Sequence, residues 1–432
     1  MSPPDKNKDD FELKPLTQAE LNELIRKHQM FLSAKPGGAR ALLRDRDLTG
    51  LSFIGQNLSQ SDFTGCIMAG CDLTNANFES ATLFGCDFTN AKMTNTRLVR
   101  ADMRGAEIGM ADLSKADMTG ADLREGKTVL KRKVKSADDQ FSLAAAAGIV
   151  QFNGSDLSGA VLNGATASNA DFTDAKMVDA QLLGANLKDA VLLGADLSHA
   201  RLDGADLRNA DFSYAMMNGA TLNNAEKFGS VFSLTLMTET KGTDINEFDM
   251  TLDELILRHM TWVGSGGRQG KRLDLLEVDM RKGPSLAAKK LTAMRAVKTT
   301  FAEMDLRGIE LQSSVLEASD FRKCQLQNAD MRGANMRGGL FNRTNLANAN
   351  LNPLQFKRPD GEEYRIPCNF DEAVMRYAVF TGARMMQASF RKADISGADF
   401  SNCDLRGADF TGANLKRAQF DGAILDGTLF DQ

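Results

Sequence analysis

Between Ala160 and Leu222 alanine stands at every fifth position, thirteen times without interruption. Two places after each alanine comes Leu, Phe or Met, with Ala167 the one exception. A helix repeats its apolar face about every 3.6 residues and a strand about every 2, so a strict period of five fits neither. The backbone therefore turns a corner at each repeat. The same period runs from Leu43 to Leu123 through seventeen apolar centres, among them Phe53, Phe63, Phe78, Phe88, Met103 and Leu113. It fails over residues 126–150 and resumes one register off at Phe152 and Leu157. In the second half it starts at Leu275 and Met280, slips by one residue near Pro284, and stays degenerate until Phe301. It is then regular from Phe301 to Leu351 and from Phe370 to Phe430.

A sharp corner favours a left-handed backbone two places after each centre. Between Leu48 and Leu123 that place is Gly or Asn in ten of sixteen repeats, including Gly50, Gly55, Asn75, Gly85 and Gly120. Asp and Asn just before the centre have short side chains that bond nearby backbone in turns, which makes them structural residues first. A narrow interior explains the alternation of one bulky and one small apolar residue.

Units such as Ala195-Asp196-Leu197-Ser198-His199 and Ala205-Asp206-Leu207-Arg208-Asn209 resemble the A(D/N)LXX repeat of the pentapeptide-repeat family. The resemblance implies an all-β solenoid, a right-handed quadrilateral β-helix with one pentapeptide per side and four per coil. The central apolar residue and the small residue two before it would point inward.

Two helices are predicted among the repeats. Thr17-x-x-Glu20 is a capping box, and Leu21, Leu24, Ile25, His28, Phe31 and Leu32 follow with helical spacing up to about Ser33. Thr251-x-x-Glu254 repeats that opening, with Leu252, Leu255, Ile256, His259, Trp262 and Val263 behind it. The segments LIRKHQMFLSAKPGGAR and LILRHMTWVGSGGRQGKR align His28 with His259 and Phe31 with Trp262. An open β-helix end exposes unpaired backbone, so each helix is read as a cap on the coil that follows it. The expected organisation is a disordered tail over 1–15, a cap and first rod over 16–228, a linker over 229–250, and a second cap and rod over 251–432. The first rod ends near Lys227, where the register asks for an inward lysine. An insert near 126–150 interrupts the first rod. A hairpin with Pro-Asp-Gly at its turn, near 352–367, interrupts the second.

The chain has 432 residues and a net charge of −5, a mild balance that singles out neither nucleic acid nor membrane. A solenoid grows without changing its core, so length does not count domains here. The start lacks the basic and apolar run of a signal peptide, and the aliphatic stretch from Leu143 to Val150 is too short to cross a bilayer. We expect no membrane span and a cytoplasmic, bacterial protein. All six cysteines (66, 71, 86, 324, 368, 403) fall in the small inward slot. Cys66 and Cys86 should stack on neighbouring coils, with reduced core thiols the expected state. His28 and His259 read as satisfied packing residues, and His199 as an outward corner. Val263-Gly264-Ser265-Gly266-Gly267 follows a helix and reads as its C-terminal turn rather than a phosphate loop. No metal, nucleophile or nucleotide motif is present, so no cofactor and no enzymatic activity are expected.

The leading expectation is a rigid scaffold for an unidentified protein partner. Candidate contacts are Lys131, Arg132, Lys133 and Lys135 in the first insert, since loops on regular scaffolds carry partners. Further candidates lie between Gly264 and Thr300, where nine Lys or Arg stand against three acids: Arg268, Lys271, Arg272, Lys289 and Lys290. That patch would suit nucleic acid or anionic lipid, but aromatic interleaving is missing beyond Trp262, which favours a solvated face. The family resemblance implies an alternative, because some members bind DNA gyrase by imitating duplex DNA. Such mimicry needs a sustained acidic stripe. Positions 62, 82, 102 and 122 read Asp, Thr, Asp, Asp, and positions 156, 176, 196 and 216 read Asp, Lys, Asp, Met, so the stripes are broken, which weakens this alternative. The last coil ends at Leu429-Phe430-Asp431-Gln432 with no helix over it, which predicts end-to-end self-association or a bound partner there.

Overall fold

A computed structural model describes residues 13–126, 148–237, 243–245, 249–357 and 361–431. It divides into Met1–Glu239 and Thr240–Gln432, each with its own core.

In the first unit residues before a centre bridge in parallel to their counterparts one coil on, Asp72 to Lys92 and Lys92 to Asp112 for example, twenty residues apart away from the insert. Around Leu73 the bonding shows the rule. Its N–H donates to Lys92 C=O (2.7 Å), the Asn75 N–H donates to Thr94 C=O (3.0 Å), and the Ala76 N–H closes the corner on Leu73 C=O (2.9 Å). The third residue of that β-turn, Asn75, has φ 58°, the requirement that Gly or Asn meets in a type II turn. Gln60, Ser80, Arg100, Met110 and Lys115 adopt the same left-handed backbone at the equivalent place. The corner geometry thus overrides residue preference. Centres and small residues are buried throughout, from Leu43 to Met217. Phe53, Phe63 and Phe78 meet edge-on or tilted, and Phe152 stacks on Phe172 at 4.6 Å.

Strand β1 (Lys14–Pro15) and helix α1 (Gln18–Leu32) precede the coils. Thr17 caps α1 with both halves of the predicted box in place. Leu21, Ile25 and His28 are buried, and Leu21 and Ile25 belong to the cluster that contains Leu43 and Leu48. β1 pairs in parallel with β2 (Arg46–Asp47), so the disordered tail expected over 1–15 does not extend to Lys14 and Pro15. Two residues carry no periodicity, which is why the pairing was illegible. Residues 1–12 lie outside the described residues.

The end of the first run of coils also moves. Bridges Asp206–Glu226, Asp211–Val231 and Met216–Leu236 carry the coil past 228, into the expected 229–250 linker. Lys227 sits at a centre but is exposed. No further coil follows it in this unit among the described residues, so the interior is open there and a lysine costs little. The first insert is visible in the register: Glu107 pairs with Gln151, 44 positions on instead of 20.

The second unit repeats the plan with β3 (Thr243–Asp244), α2 (Leu252–Gly264), β4 (Asp274–Leu276), β5 (Val278–Asp279) and β6 (Arg295–Val297). β3 pairs with β5 and β4 with β6, both in parallel. Thr251 caps α2 as predicted, and Ser265 ends it, with Gly266 and Gly267 left-handed beyond. Met280, Leu286, Leu291, Ala296 and Phe301 all point inward, which places the one-residue slip between 280 and 286. The predicted hairpin is β7 (Leu354–Lys357) paired antiparallel with β8 (Glu363–Ile366). Beyond it the core becomes aromatic: Phe370, Phe390, Phe410 and Phe430 form one column at 4.7–5.3 Å, and Phe380, Phe400 and Phe420 another at 4.8–5.3 Å.

Candidate interaction surfaces

The cysteines lie in the buried interior. Burial pushes the thiols of Cys66, Cys71, Cys368 and Cys403 up to about 12. All six cysteines are free and buried, as expected. Each donates its S–H to a carbonyl on the preceding coil, Cys71 to Leu48 at 3.0 Å and Cys324 to Phe301 at 2.9 Å. Thr96 and Thr344 use the same slot in the same way, on Leu73 and Phe321. The small slot therefore accepts a short polar donor wherever a carbonyl lone pair is spare.

Outward aspartates work first on their own corners. Asp72, Asp112, Asp117 and Asp171 each accept the N–H two residues on. Where that residue is Arg, the carboxylate also takes a two-pronged guanidinium bond. This happens at Asp102–Arg104, Asp122–Arg124, Asp206–Arg208, Asp279–Arg281, Asp305–Arg307, Asp320–Arg322, Asp330–Arg332 and Asp404–Arg406. The Arg307 bond holds the Asp305 carboxyl down to about 2. An Asp-x-Arg spacing is plain in the sequence, yet its meaning emerges only once the corner geometry turns both side chains the same way. The broken acidic stripe through 62, 82, 102 and 122 is also answered by Arg44, Arg104 and Arg124, which bond Asp62, Asp102 and Asp122. Lys176 bonds Asp156 in the second stripe at 2.9 Å.

Lys131, Arg132, Lys133 and Lys135 lie outside the described residues; the root of their insert does not. Gly126 N–H donates to Gly148 C=O at 2.7 Å. A Cβ on Gly148 would come within 1.9 Å of Gly126 O, and one on Gly126 within 2.9 Å of Arg104, so both glycines are required by close backbone approach. The remaining candidates separate around α2. Lys289 pairs with Asp253 in the first turn of α2 at 3.6 Å, and Lys290 with Glu310 on the next coil at 3.3 Å. Arg268 is exposed in the turn that follows α2, Lys271 is exposed where the chain runs back beside the helix, and Arg272 lies half-buried 6.0 Å from the Trp262 ring. The chain folds back after α2, and the Lys271 N–H donates to Arg258 C=O at 3.2 Å, so Lys271 lies beside the middle of the helix.

The two helix histidines are bound identically. Ala41 N–H donates to His28 Nδ1 (3.1 Å), and His28 Nε2–H donates to Ser59 C=O (3.0 Å). Leu273 N–H donates to His259 Nδ1 (3.0 Å), and His259 Nε2–H to Thr292 C=O (3.0 Å). Burial lowers both imidazoles below the ordinary 6.5, with Arg40 and Arg272 adding cationic repulsion. In the second insert Phe356 stacks on Tyr364 at 5.3 Å. A cavity of about 310 Å³ beside the start of α2 is lined by Ile245, Met250, Leu252 and Pro284 with Asp249, Asp253 and Glu254. Among the described residues no cluster could hold a metal ion, and no helix is long and apolar enough to cross a membrane.

A four-sided parallel ladder around a core of one large and one small residue per side defines a quadrilateral β-helix. More than half of the chain matches the family model for pentapeptide repeats, in eight copies over residues 47–83, 81–120, 151–189, 190–226, 301–338, 368–407 and 393–432, and the chain belongs to that family. No match was found among curated proteins. Similar solved structures include full-length QnrB1, a plasmid-mediated fluoroquinolone resistance protein: 19% identity, 46% of this chain and 92% of QnrB1, TM-score 0.28. HetL, involved in heterocyst differentiation regulation in the cyanobacterium Nostoc sp. strain PCC 7120, gives 16% identity over 94% of this chain and 95% of HetL, TM-score 0.18. Rfr23 from the cyanobacterium Cyanothece 51142 gives 16% identity over 34% and 90%, TM-score 0.12.

Proposed function

We propose that the protein is a non-enzymatic scaffold of two rods, each started by a helix that caps its first coil, and that it acts by presenting outward side chains and inserts to a protein partner. One observation carries this reading. The inward slots are restricted to bulky and small residues, whereas the two outward corner places accept Gly, Asn, Asp, Lys, Arg, Met, His and Tyr on the same backbone. A scaffold built this way fixes where its side chains stand without constraining which they are. The basic insert residues and Arg268, Lys271, Arg272, Lys289 and Lys290 are its proposed contacts, in the cytoplasm, with end-to-end pairing through the last coil. Ile424, Leu425, Leu429 and Phe430 are exposed in that coil.

The test is capture of a partner by the full chain against a chain lacking residues 126–149. Loss of one specific partner on deletion supports the reading. Equal capture by both chains, and by Lys289→Glu/Lys290→Glu and Arg268→Glu/Lys271→Glu/Arg272→Glu, would refute the proposed contacts. Imitation of DNA against gyrase is the competing reading, and the Asp-x-Arg pairs work against it by placing a cation beside each of those carboxylates. A supercoiling assay should show no inhibition; inhibition at stoichiometric protein would reverse the order of the two.

A further inference from the structure

The protein holds an internal control, because the strand-helix-coil opening occurs twice with the same buried histidine geometry. Taking His28 onto His259, α1 and α2 can be compared position by position. The exposed seam of α2 is Asp253, Leu257, Met260 and Gly264, spaced four, three and four residues apart, the spacing of a coiled-coil contact line. Leu257 is 66% and Met260 46% exposed, and Val263 at the seam's edge is 39% exposed. The matching places on α1 are Asn22, Arg26, Gln29 and Ser33. Those are polar and locally engaged: Arg26 with Glu23 at 2.8 Å, Gln29 with Gln56 at 2.9 Å, and Asn22 with Gln18 at 2.9 Å. One copy of the module thus presents water-compatible side chains where the other presents a bare apolar stripe. Packing on the coil cannot explain the difference, since both helices bury the opposite face with equivalent residues: Leu21, Ile25 and His28 in α1, Leu252, Ile256 and His259 in α2.

We propose that the outer face of α2 is a docking surface for a second copy of this chain, the two α2 helices lying antiparallel. The charges select this occupant. The start of α2 is acidic, with Asp249 and Glu254 exposed and the Asp253 side chain 75% exposed beside Lys289. The turn just after its end carries the exposed Arg268, and the chain then folds back along the helix, where the Lys271 N–H donates to Arg258 C=O. An antiparallel pair sets each acidic end against the other copy's basic end and opposes the helix dipoles. A two-fold axis between Leu257 and Met260 then places Leu257 of one copy against Met260 of the other, and Asp253 against Gly264, where no side chain blocks close approach. Such an isologous contact is self-complementary and closes after two copies. The seam is short, well under the roughly 1,200–2,000 Å² of a stable interface, so the dimer is weak and concentration-dependent.

The experiment uses the full chain. Sedimentation velocity from micromolar to near-millimolar concentration should show a monomer-dimer equilibrium that Leu257→Lys/Met260→Lys abolishes while circular dichroism stays unchanged. Met260→Cys should cross-link to a covalent dimer with a short bis-maleimide, whereas Gln29→Cys, its counterpart on α1, should not; the six native thiols are buried and silent. Asp253→Arg and Arg268→Asp should each weaken the dimer, and the two together should restore it. A chain that stays monomeric overturns the proposal and leaves the stripe to a different protein. A dimer that survives Leu257→Lys/Met260→Lys also overturns it and moves self-association to another surface, such as the last coil. Equal cross-linking at Gln29→Cys would do the same.

Discussion

Leu113 and Ala116 fill one large and one small slot, and both are fully buried. Coils stack at the fixed strand spacing of about 4.8 Å, so a change of volume in either slot here meets close-packed neighbours. Leu113→Ala should therefore cost about 2–5 kcal/mol, as unrelaxed cavities do. Ala116→Leu should cost about 1–3 kcal/mol or more from overpacking. Urea unfolding of both variants checks this, and a neutral Ala116→Leu would mean that the tube is wider than its small residues imply. The corner has a separate logic. Asn75 is left-handed at φ 58°, a conformation that a β-branched side chain resists by roughly 1–2 kcal/mol. Asn75→Val should lower the unfolding midpoint while Asn75→Gly leaves it nearly unchanged. Equal midpoints would show that corner residues are chosen for their surfaces and not for their backbone.

Helices α1 and α2 are held by neutral imidazoles that accept at Nδ1, so protonation removes the acceptor and sets one N–H against another. Because each folded-state value lies below the ordinary 6.5, the unfolded chain binds more protons in the window between the two. Their contribution to helix docking is complete above about pH 6.5 and declines as pH falls through that window. Hydrogen exchange at the Ala41 and Leu273 amides should accelerate between pH 7.5 and 5.5, after correction for intrinsic rates, more than at Leu73 or Phe400. Flat protection would mean that the helices are held by Leu21, Ile25, Leu252 and Ile256 alone. The first insert offers a second test. Removing residues 126–149 joins Glu125 to Val150 and restores a spacing of 20 between Glu107 and Gln151. With Glu125→Gly for the corner, that variant should unfold within a few degrees of the parent, and a large loss would show that the insert is part of the rod. The long periodic runs, both capping boxes and the hairpin were legible because each has a local signature in residue type and spacing. β1 and β3 were not, since two residues cannot show a period. Nor was the last coil of the first unit, because Lys227 breaks a pattern that an open end no longer enforces. The apolar stripe on α2 was readable as Leu257 and Met260. Only the duplicate fold, by fixing which face α1 and α2 bury, showed that it points outward.

The whole molecule uses the same opening twice, and that repetition decides how many folding units it has. Leu21 and Ile25 join a cluster running from Ala41 to Met217, whereas Leu252 and Ile256 join another from Ile245 to Phe410, with no residue in common. Each unit also starts with its own short strand, β1 on β2 and β3 on β5, which occupies the edge of the first coil. In a solenoid, stability is a sum over coils and their nearest neighbours, so a unit needs its own starting edge more than it needs distant coils. Residues 1–239 and 240–432 should each fold when expressed alone, with β-rich circular dichroism and a cooperative urea transition. Removing the opening should matter more than removing half of the coils. The fragment 265–432, without β3 and α2, should lose solubility or cooperativity although it keeps every regular repeat from Phe301 onward. If 265–432 folded as well as 240–432, the duplicated helix would have no part in starting the rod, and its retention in both halves would have to come from what its outer face binds.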